Sequence, residues 1–303
     1  MTENTKLSKG VFEVDFRPWK GKLNGLITEP SHRECLVSYL AVPRFPRGID
    51  EGADDGAGKT FSLARLFTRC YDGERPVSVG DPVCFDDGCS GAEDTDYIVR
   101  ARPIGPQAGG IPLVLELLDL LHIQLACLAG ERVVRGAAVI GFLQFGSNGG
   151  SGHTGPALSR AREMEANDAI LPRITVAEEI VTRLRSDESL WTADHFLRAE
   201  VDLIDCMLRS EGSGVHYIDY LKAGLGEFDY DFGRYAAFLG QHKRIVESGL
   251  ADNSPWRTRG TYEWLKHYHN ARIDDDLSHP DAMARPDECD RRMAGALTPL
   301  RIG

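Results

Sequence analysis

The chain has 303 residues, 42% of them hydrophobic and 27% charged, which is enough for one large core or two smaller ones. Its formal net charge of −11 denies it the basic surface that nucleic acid or an anionic membrane selects. Its seven cysteines are scattered with no C-x-x-C pair, and its opening residues lack the apolar stretch of a secretory signal, so free thiols and a cytoplasmic location are expected.

Residues 1–110 read as an irregular N-terminal region carrying short β-strands. Val11–Phe16 alternates as a strand does, and Leu36–Val42 is a second candidate. Between and after them, Pro43, Pro46, Gly48, Gly52, Gly56 and Gly58 punctuate a long loop. Ala53–Thr60 meets the loose phosphate-loop pattern, with alanine in the first glycine position. No strand precedes it, and Asp54 and Asp55 would sit against phosphate, so a solvated loop is the expectation. Cys84 and Cys89 lack the second pair that a zinc site needs.

Residues 111–303 read as a helical body. Leu113–Leu128 is apolar on every face at helical spacing, the mark of a buried helix. Glu116, Asp119 and Gln124 interrupt it, so it never reaches the roughly 18 apolar residues of a membrane span. Pro112 suits the first turn and Gly130 is placed to end the helix. Glu116, Asp119 and His122 follow at spacing three along one side. A carboxylate one turn from an imidazole can orient it, which makes His122 with Asp119 a candidate acid/base pair; a polar stripe satisfied by its neighbours is the alternative.

A second apolar run, Val133–Phe145, leads into a glycine-rich loop over residues 146–155. Its backbone N–H groups could hold a carboxylate or phosphate, with Gly149, Gly150 and Ser151 the candidate substrate contacts; a flexible linker fits equally. Val139-Ile-Gly-Phe142 followed by Gly146-Ser-Asn-Gly-Gly-Ser-Gly152 resembles the helix end and glycine loop of tryptophan 2,3-dioxygenase. The resemblance covers about 15 residues of loop geometry of the kind that lets backbone close on a ligand. It implies a histidine-ligated haem enzyme that oxygenates or hydroxylates an aromatic amino acid. That family's ligating histidine stands just before the loop, whereas here the nearest upstream one is His122, so no ligand carries over.

Further on, Thr175–Glu178 has the form of a capping box, and Thr192 can cap a helix running to about Arg209. On that helix His195 has Ala199 and Cys206 as small neighbours and Asp202 further along. A flat macrocycle could approach such a histidine, or it is simply an exposed first-turn residue. Arg234–Glu247 is amphipathic, with Tyr235, Phe238, Leu239, His242, Ile245 and Val246 on its buried face and Gly249 as its stop. His242 is a satisfied core histidine or a reserve ligand. Thr261–His269 is aromatic-rich, with His267 and His269 splayed apart on a helix, and Asp274–Asp276 has the look of a magnesium cluster without its partner motif.

No G-x-S-x-G elbow, H-E-x-x-H motif or repeated E-x-x-H pair occurs. The expected fold is therefore mainly α: a helical body over 111–303 with the irregular region 1–110 packed on it. The expected activity is a haem-dependent oxygenase or hydroxylase, because haem needs only one strong ligand from the protein. His195 would be the axial ligand with His242 in reserve, and His122 with Asp119 the acid/base pair. A small-molecule substrate is the expected partner, nucleic acid and membrane are not, and homo-oligomerisation is compatible. The competing reading is a cofactor-free helical binding or scaffold protein.

Overall fold

The computed structural model describes residues 31–43, 84–90, 95–104, 113–145, 154–167, 171–187, 197–211, 214–251, 256–278 and 295–303. Strands β1 (Ser31–Pro43), β2 (Cys84–Ser90) and β3 (Thr95–Pro103) come first. Helix α1 (Leu113–Ala129), strand β4 (Arg135–Phe145) and helix α2 (Pro156–Asn167) follow. Next are β5 (Ile174–Val176), α3 (Glu178–Ser186), α4 (Leu197–Met207), β6 (Leu208–Glu211) and β7 (Val215–Ile218). Helices α5 (Tyr220–Glu227), α6 (Phe232–Ala251) and α7 (Trp256–Ser278) precede a 3-10 turn, Thr298–Leu300.

The strands form one seven-stranded sheet in the order β2-β3-β1-β4-β5-β7-β6. Among the described strands only the β4–β5 pair is parallel, so the sheet is mixed. The first four strands, ordered 2-3-1-4 with α1 crossing from β3 to β4, have the split βαβ arrangement of ferredoxin-like sheets. Strand β1 lies in their middle: Val37 is opposite Ala101 on one side and Val139 on the other.

This corrects the mainly α expectation, since the body is a mixed α/β sheet with helices on both faces. The physical reason lies in β4, whose residues 136–140 are buried on both faces. A central strand buried on both faces reads as a continuous apolar run, which periodicity alone does not separate from a buried helix. Strands from both sides of residue 110 share this one sheet. Likewise, Val139–Phe142 lies within β4 rather than at a helix end.

Side-chain alternation sorts the core into two layers. Leu36, Leu40 and Val42 of β1, with Ile98 and Ile140, lie in the layer that contains α1. Cys35, Val37, Val99, Ala101, Val139 and Leu143 face Ala157, Leu158 and Ala161 of α2. Helix α1 spans the predicted residues and is buried nearly all round, because α4 and α5 pack on it as well as the sheet. The left-handed residue that ends it is Glu131 (φ 57°), one beyond the expected Gly130.

Two local expectations fail. Thr175 lies in β5, where its hydroxyl donates to the Gly136 carbonyl at 3.0 Å, and α3 begins at Glu178 with no side-chain cap. The cap pattern was overridden by pairing: β5 bonds to both β4 and β7. Gly249 is not a stop; it lies inside α6, where the Tyr262 ring presses on it, and an added Cβ would stand 2.2 Å from that ring. The glycine is there to let α7 approach α6.

Gly249→Ala is therefore expected to overpack the α6–α7 contact and destabilise the protein by about 1–3 kcal/mol. Urea unfolding measures this, and Gly249→Ala combined with Tyr262→Leu should recover part of the loss. An unchanged midpoint in the single variant would show that the two helices separate freely there.

Candidate functional site

The polar stripe of α1 meets a second stripe that alternation on β3 creates. Arg100 and Arg102 are two apart, so both point from the sheet into the α1 layer. Arg100 Nη2 lies 2.7 Å from Glu116 Oε2 and 2.9 Å from Asp119 Oδ2. Arg102 pairs with the other Glu116 oxygen. Arg100 and Glu116 are almost wholly buried, at 1% and 2% exposure. Two guanidiniums face two carboxylates, so the charges cancel locally. Burial raises the Glu116 pKa, and both arginines oppose that rise.

One turn further, His122 Nε2 lies 2.6 Å from Glu227 Oε2, with the two side chains 20% and 25% exposed. The pair ties α1 to the end of α5. Asp119 pairs with Arg100, and the carboxylate on His122 Nε2 is that of Glu227.

A second polar cluster lies among the last three helices. Tyr220 Oη is 2.8 Å from His242 Nε2, His242 Nδ1 is 3.1 Å from His269 Nδ1, and His269 Nε2 is 3.0 Å from the Leu300 carbonyl. A carbonyl only accepts, so His269 carries its proton on Nε2 and its Nδ1 accepts. His242 then donates from Nδ1 and accepts the Tyr220 hydroxyl at Nε2. The chain is consistent with both rings neutral. Burial pushes the His242 pKa well down, with His269 adding to it, and burial lowers His269 to about 4. The rings stack with centroids 5.1 Å apart.

Around them, Tyr268 Oη donates to Asp219 Oδ1 at 2.5 Å, and Asp219 also caps α5 through the Lys222 N–H at 3.2 Å. Tyr235 Oη donates to Asp276 Oδ2 at 3.0 Å, and Arg272 pairs with the same carboxylate. Asp274 pairs with Arg301. The Asp274–Asp276 run is therefore divided between a buried anchor and a surface ion pair.

His195, Gly149, Gly150 and Ser151 lie outside the described residues. The ends of the glycine loop are defined: Gln144 and Thr154 exchange backbone hydrogen bonds of 2.7 and 3.1 Å. Gly155 follows at φ +144°, where a Cβ would stand 2.8 Å from the Phe142 carbonyl, so only glycine fits.

The haem oxygenase expectation is overturned. Both ring nitrogens of the reserve ligand His242 are engaged by Tyr220 and His269. No group of three or more His, Cys, Asp or Glu among the described residues is arranged to hold a metal ion. The described residues do not fit a haem at His242. No described helix is long and apolar enough to cross a membrane.

No family model and no curated protein matches the chain. Among solved structures it is similar to the catalytic core of a rhodopsin-guanylyl cyclase with converted specificity, in complex with ATPalphaS. The identity is 9% and the TM-score 0.29, over 63% of this chain and 98% of that one. At that overlap the likeness decides neither fold nor activity.

Sequence reasoning named Glu116, Asp119, His122 and His242 but missed their partners. The R-x-R alternation in Arg100-Ala-Arg102 was a readable sign of two cations on one strand face. Glu227 and Tyr220 carried no such sign, because their pairing depends on how α5 docks.

Removing one member of a buried ion network leaves uncompensated charge, so Glu116→Ala is expected to cost about 3–5 kcal/mol, read as a drop in urea midpoint. Replacement by glutamine should cost less if hydrogen bonding to the arginines persists. The neutral histidines set a pH dependence. The His269 pKa is about 4 when folded and 6.5 as a free group, so the unfolded chain binds more protons between those values. Stability should be full above the upper value and fall with pH across that window. A midpoint that rose on acidification would show that the rings are charged in the folded state.

Proposed function

We propose that this chain is a binding or scaffold module on a split βαβ sheet, whose described histidine and acid clusters serve the fold. The observation that carries this is self-satisfaction. His242 and His269 spend all four ring nitrogens on one internal chain, and the acid groups of α1 are neutralised by β3 arginines. Groups engaged in this way hold elements together and are not presented to a substrate. The partner best matched to a net charge of −11 is a basic protein, because complementary charge steers encounter.

Two measurements test it. Haemin titrated into tag-free protein should produce no saturable Soret change; a histidine-ligated spectrum lost in His242→Ala would defeat the proposal. Complexes reconstituted with a recovered basic partner should form more slowly as salt rises. Salt-independent association would remove the electrostatic part of the reading.

A second reading, an acid–base enzyme with a small-molecule substrate, is favoured by one observation. The His122–Glu227 pair is close, at 2.6 Å, and partly open to solvent. If it is correct, His122→Gln and Glu227→Gln each lower kcat by roughly 10²–10⁴ while the urea midpoint changes little. Equal turnover in wild type and both variants would reject it.

A further inference from the structure

Residues 295–303 form a strap across α6 and α7. Leu297 and Ile302 are buried, and Leu300 packs against the same core. Most of the bonds that hold the strap come from side chains of the two helices. The Asn270 amide donates to the Ile302 carbonyl at 3.0 Å and accepts the Ile302 N–H at 2.9 Å. Lys243 Nζ donates to the Pro299 and Arg301 carbonyls, both at 2.9 Å, and Lys266 donates to the Gly303 carbonyl. Arg301 pairs with Asp274. The innermost of these bonds is His269 Nε2–H to the Leu300 carbonyl, the end of the chain that begins at Tyr220.

We propose that the strap is an acid-released cover: a proton taken up by the His242–His269 pair drives residues 295–303 off the α6–α7 face.

The geometry explains why release is the response. If His269 gains a proton on Nδ1 while His242 keeps its own there, two N–H groups meet across 3.1 Å. If His242 instead shifts its proton to Nε2, that N–H meets the hydroxyl of Tyr220, which then needs a new acceptor. Either arrangement leaves an imidazolium in a site with almost no water, since His269 is 0% and His242 1% exposed. Among the described residues no carboxylate contacts either ring, and the Leu300 carbonyl, which favours the charged form of His269, does so by less than burial opposes it. From α5 come Tyr220 and, through Tyr268 of α7, Asp219. From α6 come Lys243, which opposes the charge, and Glu247, which favours it. Asp276 is already occupied by Tyr235 and Arg272. Hydration of the ring is the remaining stabilisation. The strap is a nine-residue segment, held largely by partly exposed side chains, whereas α6 and α7 pack along their length with the Tyr262 ring pressed on Gly249, so the strap is the element that opens first.

Hydrogen exchange on the full chain tests this, at about pH 7.5 and about pH 4.5 with labelling times scaled for the intrinsic rate. The strap peptide should lose about tenfold or more of its protection at the lower pH, one pKa unit being one decade, while residues 235–246 stay within about twofold. In His269→Gln the amide still donates to Leu300 while the titrating ring that contacts the strap is gone, so the strap should lose most of its pH response. Asp274→Asn, which removes one strap ion pair, should lower protection at both pH values and keep the wild-type ratio between them. The proposal is overturned if wild type keeps its strap protected at the lower pH, or if strap and helices open together. It is also overturned if His269→Gln releases as wild type does. Should that variant fail to fold, imidazole ¹⁵N–¹H spectra of wild type decide. His269 must carry its proton on Nε2 at neutral pH and become doubly protonated as the strap opens; the other tautomer, or release with neutral rings, overturns it.

Discussion

Charge burial between β3 and α1 is the constraint on which the rest of the structure depends. Arg100 and Arg102 leave the sheet, Glu116 and Asp119 leave the helix, and all four meet where water is nearly excluded. Taking such groups out of water is expensive, and mutual attraction offsets that expense only in good geometry. The helix therefore has one rotation and one height on the sheet at which the carboxylates reach the guanidiniums. An apolar interface alone tolerates sliding; this one does not. His122, one turn on, then emerges at the rim, where Glu227 of α5 meets it.

The three C-terminal helices solve a related problem with neutral groups. Tyrosines, two histidines and the carboxylates Asp219 and Asp276 bond to one another inside an apolar setting. Burial keeps the imidazoles neutral and the phenols protonated, which is the set of protonation states in which donors and acceptors match. The same cluster anchors the strap through the Leu300 carbonyl. A core built in this way is specific while its histidines are neutral and becomes strained when one is charged.

Much of the helical part was legible in the chain itself. The all-round apolar helix over 113–129 and the buried face of α6 follow from period and residue type. The sheet was not legible as a whole. Its central strand, β4, shows no alternation over residues 136–140, where both of its faces are covered. The tripeptide strand β5 is too short for any pattern, and a threonine in it imitates a cap. Gly249 reads as a stop because glycine ends helices, yet here its missing side chain makes room for Tyr262 from another helix.

Composition and local pattern by themselves determined that this is an acidic chain with a large apolar core, a buried helix carrying an acid–imidazole stripe, and a histidine on the inner face of a second helix. Only the tertiary structure decided what those residues do. A side chain's hydrogen-bond partner is set by which elements dock, and docking brings together residues far apart in the chain: Glu227 to His122, Tyr220 and His269 to His242, Arg100 to Glu116. An imidazole looks equally available in sequence whether its nitrogens are free or already engaged, because the partners that engage it are placed by packing.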